Sequence, residues 1–243
     1  MDKADTTTIG SIVAQDFRTA AVFSKYGIDF CCKGDRTLEE VCQKNNIDQL
    51  VLGAELETVL DSHTELSIDY KSWPLDLLTD YIEKTHHRYI EEKTPALIQF
   101  LDKLCNVHGA RHPELFEVTS LFKQSATDLA AHMKKEELIL FPFIRKMVAA
   151  QFKQQDIAPP HFGTVENPVA MMKEEHEVEG ERFRQISVLT NGYTPPDDAC
   201  STYRVTFAML QEFESDLHRH IHIENNILFP KAILMEERLK QVH

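Results

Sequence analysis

Glycine and proline are scarce in this sequence, with 8 glycines and 10 prolines among 243 residues. This scarcity excludes collagen-like and Pro/Gly-rich low-complexity chains, and it favours helix. Alternating β-branched runs bounded by turns are also missing, which argues against a β-sheet. Because 42% of the residues are hydrophobic and 27% are charged, the composition is that of a folded globular protein.

Disulfide frameworks and membrane spans are equally absent. The five cysteines show no repeated spacing, a pattern that favours a reducing compartment. No stretch approaches the roughly 20 apolar residues of a spanning helix. The first residues lack the basic and apolar segments of a secretory signal. We therefore expect a cytoplasmic protein that has no contact with a membrane.

Positive charge is in the minority. Lysine and arginine total 26 against 39 aspartates and glutamates, which gives a formal net charge of −13. Binding to nucleic acid or to an anionic membrane depends on attraction between cationic side chains and phosphates. We therefore expect neither as a partner.

The helical patterns fall into two regions, which predict two domains. Residues 1–66 read as a small helical domain, with one helix over 12–23 and another that starts at a capping box formed by Thr37 and Glu40. A polar segment without clear periodicity follows. Residues 74–240 contain four long helical patterns, and these predict an up-down-up-down four-helix bundle in an all-α protein. The four patterns cover about 75–104, 114–150, 168–190 and 198–239.

An internal repeat lies within the predicted bundle. The segments 132–142 and 220–230 share a His-x3-Glu pair and end in Ile-Leu-Phe-Pro, and the second copy lies 88 residues after the first. A single histidine among acidic residues precedes each copy: His86 in the first half and His176 in the second. Each half therefore supplies one histidine on one helix and a His-x3-Glu pair on the next.

The repeated residues fall on the apolar stripes of their helices, where side chains recur every three or four positions and face the core. Burying imidazoles and carboxylates in an apolar bundle is costly unless they share a partner. A metal cation is the natural partner, and the i, i+4 spacing points both side chains of each pair at one place. The predicted ligands are His86, His132, Glu136, His176, His220 and Glu224.

Six ligands are more than one ordinary site requires, so we predict two metal ions. Each ion would receive two histidines, both glutamates would bridge, and an oxo or hydroxo bridge would leave about one open position for O2 or NO. Imidazole with carboxylate suits iron, manganese or zinc. Redox chemistry at a carboxylate-bridged pair makes iron the first choice, with a mononuclear zinc protein as the alternative.

The other histidines are predicted not to be ligands. His87 is rotated about 100° from His86 on a helix, and His218 and His222 lie off the stripe of His220. We expect these three at the surface or behind the ligands. The remaining five are expected to be solvated in loops or at the chain end: His63, His108, His112, His161 and His243.

Two adjacent cysteines, Cys31 and Cys32, lie between predicted helices and next to Lys33 and Arg36. Positive charge near a thiol favours the thiolate, and a disulfide between neighbours would be strained and easily reduced. The pair is interpreted as a redox pair, an electron relay or a transient acceptor of iron or NO. The alternative is two small residues that pack a turn.

These motifs resemble a known family. The His-x3-Glu blocks ending in Phe-Pro, together with His86 and His176, resemble the hemerythrin-like fold. The segment 26–32, followed by Thr37-Leu38, is similar to the small domain that precedes this fold in the di-iron proteins that repair iron-sulfur clusters, the repair of iron centres family. The resemblance covers about residues 8–238.

The resemblance implies a non-haem di-iron protein, often a homodimer, that is induced by nitrosative and oxidative stress. It implies two bridged iron ions per chain, held by the six ligands, with Cys31 and Cys32 as the functional cysteine pair. Damaged iron-sulfur proteins would be the clients, repaired by iron donation or helped by reduction of NO to nitrous oxide. The alternatives are a hemerythrin-like carrier or sensor of O2 or NO without catalysis, and an iron store.

Overall fold

The computed structural model describes residues 7–61 and 68–241. Within these ranges the chain forms helices and no β-strand, apart from an isolated bridge between Thr8 and Thr37. The predicted all-α fold class is confirmed. None of the described helices is both long and apolar enough to cross a bilayer. His63, His243 and the predicted domain end at residue 66 lie outside the described residues.

Four short helices form the N-terminal unit. The predicted capping box is present, because Thr37 Oγ1 accepts from the Glu40 amide at 3.2 Å and the Glu40 carboxylate accepts from the Thr37 amide at 2.8 Å. Gly27, with φ +64°, follows the second helix at a position that favours glycine. The helices are α1 (Ile9–Gln15), α2 (Thr19–Lys25), α3 (Leu38–Asn45) and α4 (Gln49–Asp61).

The single helix predicted over 12–23 is wrong, because the chain breaks between α1 and α2. Asp16 has extended backbone angles (φ −148°, ψ 107°), and its carboxylate accepts from the Arg18 amide at 3.0 Å. The Arg18 guanidinium also pairs with that carboxylate. The apolar stripe continues across the break, so hydrophobic periodicity alone could not reveal it.

Four long helices follow, and three of them contain a π-helical turn. A π turn inserts one extra residue and shifts the direction of the side chains that follow it. The first bundle helix comprises α5 (Leu75–Tyr81), a π turn (Ile82–His87) and α6 (Arg88–His108). The second comprises α7 (Glu114–Lys135), a π turn (Glu136–Leu140) and α8 (Phe141–Lys153). The third is α9 (Glu166–Leu189), and the fourth comprises α10 (Ser201–Ile223), a π turn (Glu224–Leu228) and α11 (Phe229–Gln241).

Two apolar clusters divide the bundle along its length. The larger contains Ile90, Met133, Phe183 and Ile221, and the smaller contains Ile82, Leu140, Met172 and Ile223. The first and third helices run from the smaller cluster into the larger, and the second and fourth run the opposite way. The helices therefore alternate in direction, as an up-down-up-down bundle requires. The polar residues of the repeat lie between the two clusters.

The N-terminal unit packs directly on the bundle. Ile9, Phe23, Val41 and Leu52 belong to the larger apolar cluster, together with side chains of α6, α7, α9 and α10. The two predicted domains therefore share buried apolar surface, and this contact brings the Cys31–Cys32 segment to the bundle. The division into residues 1–66 and 74–240 stays a prediction.

Candidate metal centre

Four histidines and two glutamates meet between the apolar clusters. They form two groups in which one ligand atom from each residue lies within 4.8 Å of the others, and every member is buried. Glu136 and Glu224 belong to both groups, as bridging carboxylates would. The first group adds His87 and His220, and the second adds His132 and His176.

The carboxylates face the histidines without forming ordinary hydrogen bonds. Glu136 Oε2 lies 3.3 Å from His87 Nε2 and 3.4 Å from His132 Nε2. Glu224 lies 3.0 Å from His220 Nε2 and 3.2 Å from His176 Nε2. In the described part of the chain, none of the four carboxylate oxygens has a hydrogen-bond partner of acceptable geometry. Buried carboxylates without donors need another source of positive charge.

The pKa shifts at the site agree with this need for positive charge. Burial raises the pKa of both carboxyl groups, but the neighbouring imidazoles outweigh it, lowering the pKa of Glu136 and placing that of Glu224 well below its ordinary range. Burial likewise opposes the charged form of His132, yet Glu136 and Glu175 raise the pKa of that histidine to about 10. Both glutamates are therefore ionised in a water-excluded site, where cations are strongly favoured. Their nitrogen and oxygen donors fit iron, manganese or zinc.

Hydrogen bonds behind the ligands fix the direction of three imidazoles. His87 Nδ1 donates to Glu137 at 3.0 Å, His132 Nδ1 donates to Glu175 at 2.8 Å, and His176 Nδ1 donates to Asn225 Oδ1 at 2.9 Å. Each bond turns the opposite nitrogen, Nε2, toward the shared carboxylates. This arrangement is typical of metal-binding histidines. None of these three partners was predicted from the sequence, because nothing in their spacing identifies them.

The structure brings together five of the six predicted ligands and places the sixth, His86, elsewhere. His86 is buried, but its Nδ1 donates to Asp216 at 3.0 Å, and its ring lies parallel to that of His220 with centroids 5.5 Å apart. It belongs to neither group of four. The expectation that His87 lies at the surface or behind the ligands is wrong, because His87 is fully buried and its Nε2 faces Glu136.

The π turn explains this difference of one residue. An unbroken period of 3.6 residues through the first helix would place His86 on the inward face. The extra residue in Ile82–His87 advances the phase by about 100° and brings His87 onto the inward face. Spacing carried a signal: His87 precedes His132 by 45 residues, and His176 precedes His220 by 44.

His222 is buried, and its Nδ1 accepts from Asn226 Nδ2 at 3.1 Å, which excludes the surface position, one of the two expected for it. One further histidine expectation is wrong. His108 is not solvated in a loop, because it is buried on α6 with Nε2 3.3 Å from Cys200 Sγ. His161 is exposed, as expected.

The cysteine pair lies beside the third bundle helix. The two Sγ atoms are 3.8 Å apart, and both thiols are free. Cys32 Sγ donates to the carbonyl of His176 at 3.3 Å, which places the pair next to a residue of the second group. Asp29, Cys31 and Cys32 also form a small cluster with metal-binding side chains.

The expected activation of the pair by nearby positive charge is wrong for Cys31. Its hydrogen bond with Cys32, and then its complete burial, raise the pKa of the Cys31 thiol well above the ordinary value. Arg36 donates instead to the backbone carbonyls of Asp29 and Lys33, at 3.1 and 3.0 Å. The guanidinium therefore organises the loop rather than stabilising a thiolate.

A surface cleft reaches the second group of ligands. The cleft has a volume of about 320 Å³ and is lined by His132, Glu175, Lys135 and the carboxylates Asp128, Glu174 and Glu179. Lys135 pairs with Glu175, the residue that orients His132. The His132/His176 group is therefore close both to solvent and to the cysteine pair.

Comparison with known proteins agrees with this geometry. The profile of the hemerythrin HHE cation binding domain matches residues 79–232. A second profile, described as a domain of unknown function and named ScdA_N, matches residues 5–60. The iron-sulfur cluster repair protein YtfE of Musicola paradisiaca (strain Ech703) is 32% identical over 226 residues, which cover 93% of this chain and 96% of that protein.

The chain belongs to the YtfE family. Two other YtfE proteins, from Yersinia pestis (strain Pestoides F) and from Yersinia pseudotuberculosis serotype O:1b (strain IP 31758), are each 31% identical over the same shares of both chains. The predicted family resemblance and hemerythrin-like fold are confirmed. In this YtfE-family chain, the cation-binding domain contains the cluster of histidines and glutamates described above.

Proposed function

We propose that this chain is a non-haem di-iron protein that repairs iron-sulfur clusters damaged by nitrosative or oxidative stress. The observation that carries the proposal is the pair of buried, ionised glutamates shared between two pairs of histidines. The relatives are named iron-sulfur cluster repair proteins, which supports repair as the purpose of the site. The clients would be damaged iron-sulfur proteins, in the reducing cytoplasm.

The proposed ligand set differs from the predicted one at one position. His87 and His220 would hold one iron, His132 and His176 the other, and Glu136 and Glu224 would bridge them. A bound iron pair would supply redox-active cations to which a small ligand such as NO or O2 could bind.

The protein contributes orientation and exclusion of water. Glu137, Glu175 and Asn225 accept the Nδ1 protons of three ligand histidines and hold their Nε2 atoms inward. The apolar clusters on both sides of the site keep bulk water away from the carboxylates. Lys135, paired with Glu175 at the cleft, places a half-buried cation beside the orienting partner of His132.

Metal analysis of the anaerobically reconstituted chain tests the centre itself. We expect about two irons per chain, and a magnetically coupled ferric pair by Mössbauer spectroscopy after oxidation, because shared carboxylates place two ions within one site. A single iron or zinc per chain would contradict the proposal.

Iron transfer tests the repair function. An iron-sulfur enzyme whose cluster has been damaged by NO should regain activity with the iron-loaded chain and a thiol reductant. The Glu224→Leu variant, which lacks one bridging carboxylate, should restore little activity. Equal recovery with free ferrous iron at the same concentration would count against a specific repair role.

The second candidate function is a carrier or sensor of O2 or NO without catalysis. The cleft that reaches His132 favours it, because a small ligand could approach the metal pair there. Nitrous oxide that accumulates well beyond one molecule per metal pair, with reductant present, would exclude a simple carrier. The proposed homodimer is tested separately, by light scattering of the iron-loaded chain.

A further inference from the structure

Asn225 joins two parts of the molecule that are far apart in sequence. Its side-chain oxygen accepts from His176 Nδ1 at 2.9 Å, and its side-chain nitrogen donates to the Cys31 carbonyl at 3.1 Å. Asn225 is itself buried and directly follows Glu224. A single amide therefore bridges a metal-facing histidine and the cysteine segment of the N-terminal unit.

The repeat shows that this bridge is specific to the second half. In the first half, the residue after the shared glutamate is Glu137, and its carboxylate accepts from His87 Nδ1 at 3.0 Å. A carboxylate can hold the histidine but has no proton to donate onward. Asn225 holds the equivalent histidine and also donates to the Cys31 carbonyl. In the described part of the chain, this hydrogen-bonded link to the N-terminal unit is found for the His132/His176 group and not for the His87/His220 group.

Further close contacts keep the cysteine segment next to Asn225. Asn226 Nδ2 donates to the Cys31 carbonyl at 3.3 Å. A Cβ on Gly34 would lie 2.7 Å from Asn226 Oδ1, so the segment approaches more closely than a larger residue would allow. Cys32 Sγ contacts the His176 carbonyl, and a Cβ on Gly180 would lie 3.2 Å from this sulfur.

We propose that Asn225 is a positioning residue. It couples cation binding at the His132/His176 group to the strength of the hydrogen bond that holds the Cys31–Cys32 segment. The proposal rests on the proposed metal centre. A cation on His176 Nε2 makes Nδ1–H a stronger donor to Asn225 Oδ1. Polarisation of the amide then strengthens donation from Nδ2 to the Cys31 carbonyl, because hydrogen bonds in a chain reinforce one another. Binding of the cation therefore strengthens the hydrogen bond that holds the cysteine segment, and loss of the cation weakens it.

Cysteine alkylation measures this coupling without any repair assay. The full-length chain is compared after stripping with chelator and after loading with Mn(II), a cation that binds imidazole and carboxylate but has little affinity for thiolate. Free metal is removed, and modification of Cys32 by iodoacetamide is followed by mass spectrometry. In the wild-type chain we expect loading to slow modification about five-fold, the effect of one ordinary hydrogen bond.

The Asn225→Asp variant should lose this dependence. Its carboxylate still accepts from His176, as Glu137 does for His87, but its second oxygen faces the Cys31 carbonyl and repels it. We expect the stripped variant to be modified faster than the stripped wild-type chain, and the effect of loading to fall below about two-fold. Glu137→Gln is the matched comparison at equal Mn(II) content, because it alters the partner of His87 away from the cysteines. At that content it should keep a clearly larger effect of loading than Asn225→Asp.

Three outcomes would overturn the coupling: no effect of Mn(II) in the wild-type chain, an unchanged ratio in Asn225→Asp, or an equal loss in Glu137→Gln at wild-type metal content. If Asn225→Asp does not fold or does not retain Mn(II), Asn225→Ser is tested by the same criterion. Serine is too short to span both contacts. Failure of the wild-type chain to hold about two Mn(II) ions contradicts the metal centre, whereas an unchanged ratio at full loading contradicts only the role of Asn225.

Discussion

His86 and His87 are the last two residues of the same π turn, but their side chains have different surroundings. The Nδ1 of His86 donates to Asp216, whereas that of His87 donates to Glu137 and directs Nε2 to Glu136. Both rings are buried, so burial does not distinguish them. What distinguishes them is the position of Nε2 relative to the shared carboxylates, and this decides which residue can bind metal.

Replacing each of these histidines by glutamine separates their roles. His87→Gln should reduce the metal content from about two ions per chain to about one, because a ligand of the first group is lost. His86→Gln should keep about two ions. Elemental analysis of both folded variants measures this. The reverse result, with metal lost only from His86→Gln, would restore the original assignment.

Glu214 provides a pH-dependent contribution to stability that does not involve the metal site. Burial, the largest influence, raises the pKa of this carboxyl from 4.5 to about 7. The folded chain therefore binds the proton more tightly than the unfolded chain. The stabilising contribution is complete below about pH 4.5 and disappears as the pH rises through about 7.

Glu214→Gln should therefore flatten the pH dependence of stability. The change in melting temperature relative to the wild-type chain should be more favourable at about pH 8 than at about pH 5. Comparison with the wild-type chain at each pH removes the contributions that the two proteins share, so the difference isolates Glu214. Glu237→Gln, on the exposed surface of α11, is the control. An equal difference at both pH values would disprove the assignment.

At the scale of elements, close approach decides how the N-terminal unit docks. The backbone amide of Gly10 in α1 donates to the Gly34 carbonyl at 2.7 Å, and a Cβ on Gly10 would clash with Asn226 Oδ1 and lie 3.0 Å from the Gly34 carbonyl oxygen. Among the described residues, no neighbouring atom lies within 4 Å of the Cβ position of Gly53 in α4. A side chain at Gly10 would therefore clash with its neighbours, whereas one at Gly53 would not.

Alanine at these two positions should change stability in opposite directions. Gly10→Ala should destabilise the chain by about 1–3 kcal/mol, because α1 must move away from Asn226. Gly53→Ala should stabilise it by up to about 1 kcal/mol, because alanine favours helix and meets no neighbour. Denaturant unfolding measures both. A stabilising Gly10→Ala would show that α1 does not pack as described.

At the scale of the whole molecule, the histidines and glutamates of the two groups form a polar layer between two apolar clusters in the bundle. Among the described residues, the ionised glutamates of this layer meet histidines rather than hydrogen-bond donors of ordinary geometry. Without cations, these groups must take up protons or water at a cost in free energy. We therefore predict that the proposed metal centre links the stability of the bundle to metal binding.

Chelation should lower the melting temperature of the full-length chain, and reloading with ferrous iron should restore it. At a free metal concentration about 100 times the dissociation constant, binding contributes about 2.7 kcal/mol per site. Differential scanning calorimetry across a metal titration measures this. A melting temperature that does not change while the ions are removed would show that the bundle does not depend on them.

Local spacing determined much of this protein. The His-x3-Glu pairs, the capping box at Thr37 and the four bundle helices could all be predicted from the sequence, because each depends on contacts within one or two helical turns. The environment of Cys31 could not, and the position of His87 left only the signal of its spacing from His132, which helical periodicity opposed. The π turn changes the helical phase by one residue, and the bonds of Arg36 depend on how the loop folds. Docking through Asn225 and Asn226 joins residues almost 200 positions apart, so only the tertiary structure decided it.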